Sequence, residues 1–330
     1  MEAGRPQVSI VILTYNGRGF MDGLLTSLRG QSYPRDRMEI IVVDNGSVDG
    51  TADYIKDRFP DIDCLALGQN LGYSAGNNRG YARARHDLII FLNQDTVCHR
   101  NWVAGLVERM ESDVDLAACA ANIIPIEPAD AATINLSAMA EFLTYCDLSP
   151  FGYGRYHRRK VAYLDTLLVS GCAFIIRRNI IVRLGYLFDE HIRMYAEDTD
   201  LSLRILNISK RVGAVQNAVV YHLHGPEENL GLAGVRKAAR AIMNRAYAFL
   251  KNMNRLDFLL FFPLMAMGSG GKIFQLDLPR FQKILMFLPF SIFSTSVMLV
   301  SLLANINLLL TKPRQSSGVT LKKLLRQSGK

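Results

Sequence analysis

The chain has 330 residues, 49% apolar and 21% charged, which excludes general disorder and leaves room for a large α/β core with an appendage. Its five cysteines (Cys64, Cys98, Cys119, Cys146, Cys172) are scattered without a Cys-x-x-Cys pair, which argues against a zinc site or disulfide framework and for a reducing compartment. The net charge of +8 conceals a split: residues 231–330 carry 15 Lys and Arg against 2 Asp and Glu, residues 1–230 carry 23 against 28. Such a basic tail suits either nucleic acid or an anionic membrane surface. The opening "MEAGRPQVSI" has no apolar core of the kind a signal peptide needs.

From the amino end, short β-branched runs alternate with helical patterns. Val8–Leu13, Glu39–Asp44, Cys64–Leu67 and Leu88–Asn93 read as strands, and Phe20–Leu28, Thr51–Phe59 and Ser74–Ala84 as the helices between them. The strand runs are apolar on both faces, as parallel strands covered by helices on each side must be. This alternation predicts a Rossmann-like, doubly wound α/β sheet whose ligands bind beyond the strands' carboxyl ends.

Those ends carry "TYNG", "DNGSVDGT", "QNLGYSAGNNRG" and "NQDT". Each alone reads as a βα turn, but four in succession on one edge point to a ligand site. Within the second, Asp49 reads as the cap of the helix beginning near Thr51. Two acids at the fourth end would suggest a divalent metal holding a diphosphate; here Asn93 takes the first place and Asp95 is left alone.

Residues Asn122 to Asp165, with Pro125, Pro128, Pro150 and "PFGYGRYHRRK", read as an irregular excursion shaping one side of the site. Thr166–Arg178 returns as a strand, with the small Gly171 and Cys172 mid-strand where an acceptor could approach. Cys172 has no basic neighbour to make it a nucleophile, and Trp102 reads as a packing residue. Ala196–Asn207 begins a helix with acids in its first turn. Asp200 fits acidic capping there, while Glu197 and Asp198 could serve a substrate. A last strand runs into His222 and His224.

Beyond residue 230 the character changes. Val235, Ala238, Ala239, Ile242, Ala246, Phe249, Leu250 and Met253 fall within about 120° of a helical wheel, with Arg236, Lys237, Arg240, Arg245, Lys251 and Arg255 outside it. The pattern fits a membrane-surface helix and equally a helix packed on the preceding domain with a solvated basic face. Phe258–Gly271 and Ile284–Thr311 then lack charge; the second exceeds the roughly 20 residues a bilayer span needs. Basic residues (Lys272, Arg280, Lys283, Lys312, Arg314, Lys322, Lys323, Arg326) flank both runs, which favours a hairpin or in-plane insertion over a single pass. Charge bordering apolar runs disfavours nucleic acid as a partner, and the missing G-x-G-x-x-G disfavours a dinucleotide-dependent oxidoreductase.

The ordered set "VSIVILTYNG", "IIVVDNGSVDGT", "QNLGYSAGNNRG" and "YAEDTDLSLR" resembles the family-2 glycosyltransferases over roughly Val8 to Gly225. "LNQDT" and "LVSGCAFIIRR" look most like its rhamnosyltransferase-type members. The resemblance implies a GT-A catalytic domain over residues 1–230 and a helical membrane-association region over residues 231–330. It implies an inverting transfer from a pyrimidine nucleotide-sugar, dTDP- or UDP-linked, to a lipid-linked or growing cell-surface polysaccharide at the cytoplasmic face of the cell membrane. L-Rhamnose from dTDP-rhamnose is the expected donor, with a UDP-hexose or UDP-galactofuranose transferase, or a catalytically silent nucleotide-sugar-binding partner, as alternatives.

By the same resemblance, Tyr15 and Asn16 would meet the nucleobase and Asp44 its imide N–H, with Asn45 and Ser47 adding hydrogen bonds. Asn70, Gly72 and Asn77 would line the nucleotide and sugar, and Asn93 would bear on donor choice. Asp95, with His222, would hold Mg²⁺ or Mn²⁺, which stabilises the charge on a leaving diphosphate. Asp198 would be the general base, with Glu197 helping to position the acceptor.

Overall fold

In the computed structural model, which describes residues 4–127, 140–149, 154–223, 232–271 and 280–307, the chain begins β1 (Val8–Thr14), α1 (Arg18–Arg29), β2 (Met38–Asp44), α2 (Thr51–Arg58) and β3 (Asp63–Ala66). There follow α3 (Tyr73–Arg83), β4 (Leu88–Asn93), β5 (Thr96–Cys98), α4 (Trp102–Glu111), β6 (Leu116–Ile126), β7 (Leu143–Leu148) and β8 (Gly154–Arg159). The domain ends with β9 (Tyr163–Thr166), β10 (Ala173–Arg177), α5 (Arg178–Leu184), α6 (Glu197–Asn207) and β11 (Arg211–Leu223). Helices α7 (Leu232–Asn252), α8 (Arg255–Gly271) and α9 (Arg280–Ala304) complete the described chain.

Strand β1 shows why the amino half is so apolar. Val8, Ile10 and Ile12 enter one core with Leu24, Leu25 and Trp102, while Val11 enters another with Phe91, Phe174 and Leu201. Alternate side chains point to opposite faces, so a strand covered on both sides has no polar face to spare. Nine strands form one sheet in the order β3-β2-β1-β4-β10-β6-β11-β5, with β9 on β11. Strands β1 to β4 pair in parallel, whereas β10 runs antiparallel to β4 and β6. The sheet is therefore mixed, as the GT-A expectation requires.

Three details differ from the sequence reading. The Asn122–Asp165 excursion is largely strand where it is described: β6 extends to Ile126, β7 pairs antiparallel with β8, and β9 lies on β11. Leu143, Tyr145 and Leu148 are buried and hold β7 against the core, a pattern hidden among prolines and glycines. Thr166–Arg178 is broken, because after β9 the Val169 amide donates to Ser202 Oγ on α6 (3.0 Å) and β10 begins only at Ala173. Gly171 and Cys172 thus sit in the approach to a strand. Pro128, Pro150, His224, Lys272, Lys312, Arg314, Lys322, Lys323 and Arg326 lie outside the described residues.

The third difference is Asp200, which caps nothing. Fully buried, it accepts from Arg204 Nε (2.8 Å), Lys251 Nζ (2.9 Å) and Asn252 Nδ2 (2.8 Å). Lys251 also donates to Asp189 (2.6 Å), as does the Tyr247 hydroxyl (3.1 Å). Two acids and two bases so balance across α6, α7 and the loop before α6. Charges taken out of water persist only when paired and hydrogen-bonded in this way.

Around that polar centre the apolar arc of α7 is covered by the domain. Ile242, Ala246, Phe249, Leu250 and Met253 pack with Leu148, Leu167, Leu168, Leu203 and Leu206, and Phe258, Phe261, Met265 and Met298 of α8 and α9 join them. Of the two readings of this helix, packing on the domain is the one found. Among the described residues no helix is long and apolar enough to cross a membrane. Exposed apolar side chains are carried instead by α8 (Leu256, Leu259, Leu260) and α9 (Ile292, Leu299, Val300, Leu303). Replacing Asp200 by Ala strands Arg204 and Lys251 and should destabilise the protein by about 3–5 kcal/mol in urea unfolding monitored by circular dichroism.

Candidate active site

The carboxyl ends of β1, β2 and β4 are tied together by side chains. Gln94 Oε1, just past β4, accepts from Thr14 Oγ1 (2.7 Å) and from the Tyr15 amide (2.9 Å). Asn16, held at φ +49°, donates its amide to Ser47 Oγ (2.9 Å), and its side-chain oxygen accepts from the Val48 amide (2.9 Å). Ser47 in turn donates to the buried Asp44 carboxylate through its amide (3.1 Å) and its hydroxyl. Asn45 staples the next loop, accepting from the Leu71 amide (2.9 Å) and donating to the Gly72 carbonyl (3.2 Å). Gly72, at φ +90°, lies so close to Arg193 that a Cβ would collide with it, so the glycine is required. Asp49 stands one residue before the cap: Gly50 takes the N-cap position of α2 at φ +80°, while the Asp49 carboxylate accepts from the Thr51 amide (3.1 Å) and hydroxyl and from the Arg18 amide (3.2 Å).

These ends open into a cavity of about 670 Å³. Of the residues singled out from the sequence, Tyr15, Asn45, Asn70, Asn93, Asp95, Gly171, Cys172, Glu197, Asp198 and His222 line it. Asn16, Asp44, Ser47, Gly72 and Asn77 do not. Asn77 is buried within α3 and donates to the Tyr73 carbonyl (3.0 Å), and the others shape the loops behind the wall. The lining residues not foreseen are Leu13, Tyr73, Gln94, Tyr156, Ser170, Met194, Tyr195 and Lys237. Leu13, Tyr73, Gln94, Tyr156, Ser170 and Tyr195 lay inside quoted segments without being picked out; Met194 and Lys237 join the site only through tertiary contacts, and no spacing in the sequence announces them.

Asp95 and His222 are 127 positions apart in sequence and meet because β5 and β11 pair antiparallel, with His222 opposite Thr96. His222 Nε2 lies 3.3 Å from Asp95 Oδ2. One carboxylate oxygen and one imidazole nitrogen suit Mg²⁺ or Mn²⁺, and 3.3 Å is compatible with neighbouring corners of one coordination shell, given metal–ligand distances of about 2.1 Å. No group of three or more potential metal-binding side chains occurs among the described residues. The donor set therefore fits a cation that takes its remaining ligands from substrate phosphates and water. The Cys172 thiol beside it is pushed far up by burial and by the Asp95 charge, consistent with an inert side chain.

Across the cavity stand Glu197 and Asp198, the first residues of α6. Tyr195 and Ala196 before them both adopt positive φ (71° and 72°), a conformation that costs about 1–2 kcal/mol for a residue with a side chain. Asn244 of α7 holds this turn by donating to the carbonyls of Met194 (2.8 Å) and Tyr195 (3.2 Å). Asp198 accepts from the amides of Thr199 (2.7 Å) and Gly171 (3.2 Å), which fixes the carboxylate against the segment leading into β10. Glu197 is buried, and its Oε2 makes no hydrogen bond among the described residues.

Burial raises both carboxyl groups above their ordinary values. For Glu197 the neighbouring Asp198 charge adds to the effect. For Asp198 the two amides and the Arg245 charge oppose it. The pair is thus suited to one neutral and one ionised member, with Asp198 the better supported as carboxylate. Tyr73, whose hydroxyl donates to the Gly171 carbonyl (2.7 Å), is raised by burial and by the charges of Glu197, Asp198, Cys172 and Asp95, so it sits between the two acidic sides of the cavity.

A raised carboxyl favours the folded state while protonated. Its contribution is complete below the ordinary Glu value of 4.5 and is lost as pH rises towards and through the higher folded value. Replacing Glu197 by Gln should therefore flatten the fall in stability from pH 4.5 upwards and raise the neutral-pH melting temperature, as read by scanning calorimetry across pH.

Solved structures share the fold of this chain. "Mannosyltransferase PcManGT from Pyrobaculum calidifontis in complex with GDP-Man and Mn2+" superposes with a TM-score of 0.56 at 18% identity, covering 92% of this chain and 88% of that one. "GalNAc-T7 with UDP, GalNAc and Mn2+" gives 0.61 at 16%, covering 84% and 52%. Both share the fold. In sequence, the chain is 28% identical to the probable glycosyltransferase YdaM of Bacillus subtilis over 222 residues, 66% of this chain and 50% of that protein. It is 26% identical to the N-acetylglucosaminyl-diphospho-decaprenol L-rhamnosyltransferase of Mycobacterium tuberculosis over 221 residues, 59% and 69% of the two. The chain thus spans about half the length of YdaM and about a third of the archaeal glycosyltransferase AglE from Haloferax volcanii. The profile of Glycosyl transferase family 2 matches residues 9–185, more than half of the sequence, and the chain belongs to that family.

Proposed function

We propose that the protein is an inverting glycosyltransferase that moves a sugar from a nucleotide-sugar to an acceptor hydroxyl. The observation that carries this reading is that one cavity joins the Asp95–His222 pair to the Asp198 carboxylate. Asp198 accepts the proton of the acceptor hydroxyl as its oxygen attacks the anomeric carbon. The bond from that carbon to the diphosphate breaks, and the nucleoside diphosphate leaves with the electron pair. Attack opposite the leaving group inverts the anomeric configuration. A positioned base contributes about 10²–10⁴-fold to such a step. The amides of Gly171 and Thr199 favour the ionised form against the effect of burial and aim the carboxylate.

Asp95 and His222 would hold the divalent cation, Mg²⁺ or Mn²⁺, which when bound offsets the charge on the leaving diphosphate. The Mn²⁺ named with two structural relatives supports this assignment. Tyr15, Asn45 and Asn70 would face the nucleoside, with Asn16, Asp44, Ser47, Gly72 and Asn77 holding the loops in register. The exposed Tyr15 ring offers a stacking surface for a base. For the donor we propose a pyrimidine nucleotide-sugar, with dTDP-L-rhamnose as first choice. The mycobacterial rhamnosyltransferase supports that choice at 26% identity.

Release of nucleotide from a panel of dTDP-, UDP- and GDP-sugars, with Mg²⁺ or Mn²⁺ and with EDTA, tests the reading. Turnover should need the metal and a pyrimidine donor, and Asp198→Asn should bind nucleotide normally while losing at least about 100-fold in transfer. Wild-type turnover in Asp198→Asn would refute the assignment.

We also propose that the protein works against a membrane, at the cytoplasmic face where a lipid-linked or growing cell-surface glycan would be met. The exposed leucines of α8 and α9 and the strongly basic carboxyl-terminal third support a lipid surface as their occupant. Flotation with anionic vesicles should capture the wild type, and changing Leu256, Leu259 and Leu260 together to Ser should reduce capture several-fold without loss of folded protein.

A further inference from the structure

Helix α7 presents a polar stripe at three- and four-residue spacing: Lys237, Arg240, Asn244, Tyr247 and Lys251. Its last three members are consumed by structure. Lys251 and Tyr247 bind Asp189, Lys251 also binds Asp200, and Asn244 holds the carbonyls of Met194 and Tyr195. Those bonds set the rotation of the helix, so its first two members face the same loop further towards the cavity. Lys237 lines the cavity, with its Nζ 5.9 Å from the centre of the Tyr195 ring, and the Arg240 charge acts on the Tyr195 hydroxyl.

Both cations are exposed, and among the described residues neither forms an ion pair, in contrast to Lys251 and Arg204 below them. Among the described residues, the acids at the start of α6 do not compensate them: Glu197 is buried and Asp198 is engaged with backbone amides. The pair suited to the donor's divalent cation, Asp95 and His222, comes from other elements, the turn after β4 and strand β11. Tyr195, by contrast, stands three residues before the proposed base, on the side where the acceptor must arrive.

We propose that Lys237 and Arg240 bind a phosphate group carried by the acceptor, so that the acceptor is an anionic, phosphate-bearing molecule and not a neutral sugar. This rests on the glycosyltransferase reading and deepens it at the same cavity. Two cations one helical turn apart, held by a fixed helix, can share the oxygens of one phosphate, with Arg offering a planar pair of donors and Lys a mobile charge. The phosphate could belong to a lipid or to a soluble glycan, and the exposed apolar faces of α8 and α9 make a lipid the natural carrier.

The test uses the full chain with Mg²⁺ and saturating UDP, so that the donor phosphate position is filled. Calorimetric titration with farnesyl phosphate, inorganic phosphate and farnesol then reads the acceptor side. Farnesyl phosphate should bind alongside UDP, and the double variant Lys237→Ala, Arg240→Ala should weaken it about tenfold and reduce its salt dependence. UDP affinity should stay unchanged, and Lys237→Arg should retain binding. An equal tenfold loss for inorganic phosphate points to the headgroup alone, whereas tighter binding of farnesyl phosphate than of inorganic phosphate in the wild type points to a lipid carrier. Farnesol binding should not respond to either substitution.

The inference is overturned if the wild type binds neither phosphate probe, if the variant binds both as well as the wild type does, or if the variant loses UDP while keeping farnesyl phosphate. Circular dichroism checks that the exposed substitutions leave the fold intact. If Asp198→Asn abolishes transfer while the double variant behaves as wild type, only the phosphate site falls. Failure of the wild type to bind or turn over any nucleotide-sugar would instead remove the functional reading beneath it.

Discussion

The buried charge balance around Asp200 is what the working geometry depends on. Asp189 and Asp200, opposed by Arg204 and Lys251, join a helix that begins with the proposed base to a helix beyond the matched family segment. Such a group is stable only while complete, because each charge was removed from water on the condition of its partners. From this centre the loop 189–196 runs to the cavity, pinned by Asn244 at the point where Tyr195 and Ala196 take their left-handed turn. Strain at a site persists when surrounding bonds over-determine it. Here those bonds come from α7, so the helix holds in place the turn that leads into the proposed base.

The opposite wall is built by different means. Its parts arrive on parallel strands whose ends lie side by side, and short side-chain bridges then lock neighbouring loops. This explains why the two walls differ in how readily they are read. Tyr15, Asn45 and Asp95 follow directly from strands that declare themselves by apolar runs and turn residues. The strands β1 to β4 and helices α1 to α3 were legible for the same reason, since local periodicity and burial agree there.

The remaining half of the site was legible only where a familiar motif marked it. Glu197 and Asp198 stand out as acids at a helix start, yet nothing local distinguishes them from Asp200, which proves to be the structural one. The difference lies in what packs above them: Lys251 and Asn252 over Asp200, open cavity beside Asp198. Likewise the periodicity of α7 showed an apolar arc without saying what would cover it. Burial of Phe249 and Met253 against Leu203 and Leu206 answers that, and no single-helix pattern could have. Met194 and Lys237 belong to the same class of residue, placed by tertiary contact alone.

Gln94 has a consequence of its own. One amide oxygen receives both the Thr14 hydroxyl and the Tyr15 amide, while the next residue along is Asp95. The backbone that carries the Tyr15 ring and the residue next to Asp95 are therefore tied through a single amide group. If Tyr15 meets the base and Asp95 the metal of a donor, the span from base to diphosphate would be set by the spacing of two adjacent residues, Gln94 and Asp95, independently of any contact to the sugar itself.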